Sequence, residues 1–154
     1  MPHMSVVHCP EVLVLRNESY ELLSEPFWVG VIASALWQAD PEDDYIGNKI
    51  DGVLRAARAN GYRNLVLGAW GCGAFQNDPA AIAKVFKDYI LKADASASFD
   101  NIVFAIPGKK NKEGNFDTFK RQFEGITEKV VESWHPVGLD KSVYSENSKN
   151  SDGT

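Results

Sequence analysis

A chain of 154 residues, 44% of them hydrophobic, is long enough to bury one core and too short to build two independent ones. Its formal net charge of −5 argues against general binding to a nucleic-acid backbone, although it leaves room for one local anion pocket. The sequence shows no apolar run long enough to span a membrane and no secretion signal, and its two cysteines, Cys9 and Cys72, have no partner motif. Together these features predict a cytoplasmic protein, or a nuclear one in a eukaryote, with no membrane partner.

Val6 to Cys9 and Val12 to Arg16 are β-type runs separated by Pro10, which predicts an edge strand or hairpin. Residues 17–26, rich in Glu, Ser and Asn, read as a surface connection. Phe27 to Ser34 is nearly continuous in apolar character, the pattern of a central strand covered on both faces. After an acidic stretch with Asp40, Glu42, Asp43 and Asp44, a helix is predicted from Ile46 to Asn60. It places Ile46, Ile50, Val53, Leu54 and Ala57 on one face, and Lys49, Asp51, Arg55 and Arg58 elsewhere. Asn64 to Gly68 is a second buried strand.

A glycine-rich turn follows, Gly68 to Pro79, and then a helix from Ala80 to Lys92 with Ile82, Phe86 and Ile90 on its apolar face. Asn101 to Ile106 is a third buried strand, stopped by Pro107 and Gly108, and residues 109–115 form a basic loop. Phe116, Phe119, Phe123, Ile126, Val130 and Trp134 recur at three and four, predicting one long last helix. Residues 141–154 have almost nothing to bury and read as a disordered tail, so a single domain is expected over 1–140.

The alternation of strand and helix predicts an α/β sandwich around a parallel sheet with right-handed crossovers. Ligands of such sheets sit outside the carboxyl ends of the strands. Here that is a cleft of three loops, of which the glycine turn holds the strongest chemistry. Glycines 68, 71 and 73 let the backbone approach a ligand without Cβ atoms in the way, and Asp78 followed by Pro79 caps the next helix. Backbone N–H groups beside a helix N-terminus cradle anions, most often phosphate. Cys72 lacks a nearby base, and His3, His8 and His135 have no ligand spacing, so neither a thiol nucleophile nor a metal site is expected. No cofactor is called for.

Leu67 to Pro79 resembles the diphosphate-binding loop of the microbial type of poly(ADP-ribose) glycohydrolase, whose catalytic domain is a macrodomain. Upstream, Pro10 to Val12, Arg16 to Glu18, Leu23 to Phe27 and Val31 to Ser34 are similar in order to that family's short strand, charged loop and buried strand, and Phe99 to Ile106 is similar to its next strand. The resemblance covers roughly residues 5–135, which corresponds to the C-terminal portion of the family's domain. It implies a macrodomain-like three-layer sandwich with a mostly parallel central sheet, and a pocket for ADP-ribose or an ADP-ribosylated protein.

By position, the resemblance implies that the backbone of Gly71, Cys72, Gly73 and Ala74 wraps the diphosphate, with Phe75 on the distal ribose side. Gly68 and Trp70 count among the turn's ligand-binding candidates, and of the two aromatics Phe75 is expected to face the ligand and Trp70 to staple the loop to the core. It has Asn77 bonding a phosphate or ribose hydroxyl, and Ser34 with Ala35 on the other wall. The family's acid stands on a triple glycine followed by a Gln-Glu-Glu triplet, and neither occurs in this sequence. Without a positioned acid a glycosidic bond loses about 100- to 10,000-fold of its catalysis. An ADP-ribose-binding module is therefore the expected function. The alternatives are an active glycohydrolase using an acid from the 40–44 loop, with Asp43 or Asp44 as candidates, or one completed by a partner chain. Lys109, Lys110 and Lys112 stand at the mouth of the third strand, either to attract the diphosphate or as ordinary surface.

Overall fold

The computed structural model describes residues 5–40, 44–92, 98–106 and 114–126. The chain divides into a compact unit ending at Glu124 and a second unit from Gly125 onward, of which only Gly125 and Ile126 are described. Strand β1 (Val7–Arg16) pairs antiparallel with β2 (Leu22–Ala33), with Val7 opposite Ala33, Leu13 opposite Trp28 and Arg16 opposite Leu22. The register breaks between Cys9 and Val12, where Pro10 has no N–H to give to the ladder. The connecting turn is held by Asn17, whose side-chain oxygen accepts from the N–H groups of Ser19 at 2.9 Å and Glu21 at 3.0 Å.

The two runs expected to form an edge strand or hairpin are one strand, β1, and its hairpin partner is β2, which takes in residues 22–26 of the expected surface connection; β2 is also not the buried central strand that its composition suggested. Phe27, Trp28 and Val31 are 46%, 64% and 39% exposed, because β1 is the strand's single partner among the described residues. A continuous apolar run reports what a strand is able to bury, not what lies against it.

Helix α1 (Asp44–Ala59) buries Ile46, Ile50, Leu54 and Ala57, as the spacing predicted. It also buries Lys49, which the periodicity had placed off that face. Strand β3 (Asn64–Leu67) pairs in parallel with β4 (Asn101–Phe104), and the pair is pinned at its start by Arg63, whose Nε donates to Asp100 Oδ2 at 2.7 Å. Helices α2 (Pro79–Ile90) and α3 (Asn115–Phe123) complete the described elements. The last helix is shorter than expected. At Glu124 the backbone turns to φ −56°, ψ 136°, and Val130 and Trp134 lie outside the described residues, as does the tail.

One core joins these pieces: Leu36 before α1, Ile46, Ile50 and Leu54 of α1, Ile82, Ala83 and Phe86 of α2, and Phe119 and Phe123 of α3. Phe104 of β4 reaches in among Phe86, Phe119 and Phe123, with ring centroids 5.3, 5.3 and 5.0 Å away. Each fully buried side chain of this kind contributes about 1.5–3 kcal/mol. Leu65 and Leu67 pack against the core, whereas Val66 between them points to the opposite face and is 69% exposed. The alternation of α and β therefore holds. In place of a mostly parallel central sheet, the described strands form two separate pairs, one antiparallel and one parallel.

Candidate functional site

The glycine turn leaves β3 at Gly68 and enters α2 at Pro79. Its own backbone folds it tightly: Trp70 N–H donates to Gly68 O at 2.8 Å, Cys72 N–H to Ala69 O at 3.2 Å, Gln76 N–H to Gly73 O at 3.0 Å and Asn77 N–H to Gly71 O at 3.0 Å. The hub is Asn77, 5% exposed. Its amide nitrogen donates to Trp37 O at 3.2 Å and Gly71 O at 3.1 Å, and its oxygen accepts from Ala39 N–H at 3.2 Å. Asn77 was expected to touch a phosphate or ribose. Its side chain is instead spent on holding the turn against the segment after β2, so it positions the loop.

Gly71 lies under this knot with φ +77°, and a Cβ there would stand 2.6 Å from Asn77 Nδ2 and 2.9 Å from Leu36 Cδ2. No other residue fits. The N–H groups of Gly71, Gly73, Ala74 and Phe75 have no acceptor among the described residues, and Gly73 and Ala74 are exposed. They stand just before α2, whose N-terminus Asp78 caps by accepting from Ala80 N–H at 3.1 Å, with Pro79 in the first turn. A row of free donors ahead of a helix N-terminus is an anion-binding arrangement.

The two aromatics of the turn take different places. Trp70 turns toward the core, 6.4 Å from the ring of Phe86, and its Nε1 donates to Ser34 O at 3.0 Å. Phe75 stays at the rim and packs on Trp37 with centroids 5.3 Å apart, Trp37 itself being 56% exposed. Trp37 was not picked out from the sequence, although a tryptophan just after a strand end facing a glycine turn was a readable signal. Cys72 is half-buried. Burial, assisted by the charge of Asp78, pushes its thiol up to about 11, so it stays protonated and a poor nucleophile at neutral pH.

Ser34 is tied on both sides: its hydroxyl donates to Ser5 O at 3.1 Å and accepts from Lys49 Nζ at 2.8 Å. Burial holds the Lys49 ammonium below its ordinary value. Asp44 is exposed in the first turn of α1, where it complements the helix dipole. Asp43 and Glu42, and Lys109, Lys110 and Lys112, lie outside the described residues. Among the described residues, no three His, Cys, Asp or Glu side chains group as a metal site, and no helix is long and apolar enough to cross a membrane.

No family model and no curated protein matches the chain in sequence. Solved structures do. The poly(ADP-ribose) glycohydrolase of Deinococcus radiodurans in complex with ADP-ribose is 30% identical, over 79% of this chain and 53% of that one, with a TM-score of 0.69. The enzyme of Thermomonospora curvata is 34% identical over 77% of this chain and 47% of that one, with a TM-score of 0.67. The same enzyme bound to the inhibitor ADP-HPD gives a TM-score of 0.69 at 34% identity. This chain is similar in sequence and structure to these microbial poly(ADP-ribose) glycohydrolases and spans about half the length of those it matches.

Proposed function

We propose that the chain binds ADP-ribose or a closely related nucleotide diphosphate through the turn from Gly68 to Asp78, as a macrodomain-like α/β module. The observation that supports this reading is the set of unpaired N–H groups on Gly71, Gly73, Ala74 and Phe75 at the N-terminus of α2. A diphosphate supplies the acceptors that these donors lack. Gly68, Trp70 and Cys72 shape the base of the cradle, Phe75 with Trp37 offers an apolar rim for a ribose or base, and Ser34 borders the turn through Trp70. The complexes of related glycohydrolases with ADP-ribose point to the same ligand class.

Calorimetric titration with ADP-ribose, AMP and NAD tests the proposal. ADP-ribose is expected to bind best, and heat from none of the three would overturn it. Gly73 has no φ in the left-handed region and open space around it. A Gly73→Glu variant is therefore expected to fold normally yet lose ADP-ribose binding by at least about tenfold, since a carboxylate would enter the anion cradle. Unchanged affinity would move the phosphate site away from the turn.

A second reading is hydrolysis of the ADP-ribose linkage, favoured by the activity named for the related enzymes and by the exposed Asp44 that follows the segment bonded to Asn77. Incubation with poly(ADP-ribosyl)ated protein separates the two. Release of ADP-ribose that disappears in Asp43→Ala or Asp44→Ala supports hydrolysis by the acidic loop. Release that survives both rules that loop out, and no release leaves the binding module.

A further inference from the structure

Among the described residues, two that are not glycine hold a positive φ: Tyr20 in the hairpin turn at +63° and Gln76 in the glycine turn at +53°. Asparagine, aspartate and histidine enter this region more readily than glutamine does. Gln76 closes the four-residue turn that starts at Gly73, its N–H donating to Gly73 O at 3.0 Å, and glycine is the residue that a closing position of this kind favours. The turn alone therefore asks for Gly or Asn here. A glutamine holds the same backbone under strain, and non-glycine residues held in this way gather at ligand clamps.

What Gln76 adds to the turn is its side chain. The N–H groups of Gly71, Gly73, Ala74 and Phe75 are open to an anion, whereas that of Gln76 is taken by Gly73 O. The residue is exposed, and its carboxamide bonds to no described residue. On one side stands Phe75, packed on Trp37 with centroids 5.3 Å apart. On the other stands Asn77, whose amide is committed to Trp37 O, Gly71 O and Ala39 N–H. Both neighbours are fixed by the fold, so the Gln76 backbone is set before a ligand arrives and a contact made by its amide orders little further chain. A neutral carboxamide adds no charge to the row of donors. It carries an acceptor oxygen and two N–H donors, which match a hydroxyl group, donor and acceptor at once, better than a phosphate oxygen that only accepts.

We infer that Gln76 is a specificity-determining residue, whose carboxamide bonds the paired hydroxyls of a ribose flanking the diphosphate and so separates sugar-bearing ligands from bare phosphates. The backbone donors of Gly71 to Phe75 hold the anion whatever it is attached to, and Gln76 reads the attachment. This inference rests on the turn being the diphosphate site. It predicts a division of labour in which loss of the Gln76 amide changes the choice among ligands and leaves the grip on the phosphates as it was.

The test titrates the full chain and two variants with ADP-ribose, ADP and dideoxy-ADP, whose ribose lacks both hydroxyls. Gln76→Ala keeps the Cβ and removes the carboxamide; Gln76→Gly also relieves the strained backbone, and should unfold at no lower urea concentration than the parent. Both variants are expected to bind ADP-ribose about tenfold more weakly, the worth of one or two hydrogen bonds, and dideoxy-ADP as the parent does. Unchanged ADP affinity then assigns the contact to the ribose beyond the diphosphate, and ADP weakened in step with ADP-ribose assigns it to the ribose of adenosine. The inference fails if all three ligands are weakened alike, which would mean a phosphate contact or a distorted turn, or if none is weakened in either variant. A parent that binds none of the three overturns the diphosphate site and this inference with it, whereas a parent that binds ADP-ribose no better than its variants do overturns this inference alone.

Discussion

Replacing Gly71 by alanine strikes the point where the glycine turn, the segment after β2 and the core meet. A Cβ at this position would stand 2.6 Å from Asn77 Nδ2 and 2.9 Å from Leu36 Cδ2, and φ of +77° is one that alanine resists. The left-handed backbone costs about 1–2 kcal/mol. Pushing Leu36, which is fully buried, off its position adds about 1–3 kcal/mol. Disturbing the Asn77 bonds adds about 0.5–1.5 kcal/mol for each one lost. The expected loss is therefore about 3–5 kcal/mol, a large share of the stability of an ordinary domain. Urea unfolding followed by circular dichroism reads it as a fall in midpoint at constant slope. Gly73→Ala is the control, since nothing lies within 4 Å of its Cβ, and it should stay within about 0.5 kcal/mol of the parent. A Gly71→Ala protein within about 1 kcal/mol of the parent would refute the reasoning, as would a Gly73→Ala protein equally damaged.

Asn77→Ala should cost about 2–3 kcal/mol by orphaning Trp37 O and Ala39 N–H and leaving Gly71 O with only the backbone N–H of residue 77, and its effect should combine with that of Gly71→Ala to less than the sum, because the two share a contact. Lys49, with its ammonium desolvated in the fold, binds its proton less tightly folded than unfolded. Stability should accordingly rise as pH climbs from its lowered folded value toward 10.5, and Lys49→Met should remove that rise; denaturant melts at stepped pH check it, in a Cys72→Ala background. That background matters because the raised thiol works the other way, losing stability between its ordinary 9.0 and about 11. Iodoacetamide should label exposed Cys9 before Cys72, whose apparent value should fall in Asp78→Asn as the neighbouring negative charge is removed.

What was legible in the sequence is local. Asp78 and Pro79 announced the start of α2, and the structure finds that cap, with Asp78 at φ −64°, ψ 120° and bonded to Ala80. The apolar spacing of α1 located its buried face, and the run from Asn64 to Leu67 located β3. What was not legible depends on partners distant in sequence. Phe27 to Ala33 carries the composition of a central strand, but composition is silent on whether a neighbour is there to cover it. Lys49 reads as surface by period, and it is buried because Ser5 and Ser34, from the chain before and after the hairpin, converge on its ammonium. Asn77 reads as a ligand contact because it sits in a ligand-type loop, yet Trp37 and Ala39 claim its amide from 40 and 38 residues away.

The hairpin of β1 and β2 is moored by three side chains: Tyr62 against Gly30 and His8, Lys49 at Ser5 and Ser34, and Trp70 at Ser34. None of its strand residues belongs to the buried core that α1, α2, α3, β3 and β4 share. The hairpin is therefore expected to open before the helical core does, which amide hydrogen exchange would read as faster exchange along β1 and β2 than along α1 and α2. The glycine turn springs from that core and reaches the hairpin through the Trp70 bond to Ser34, just after β2.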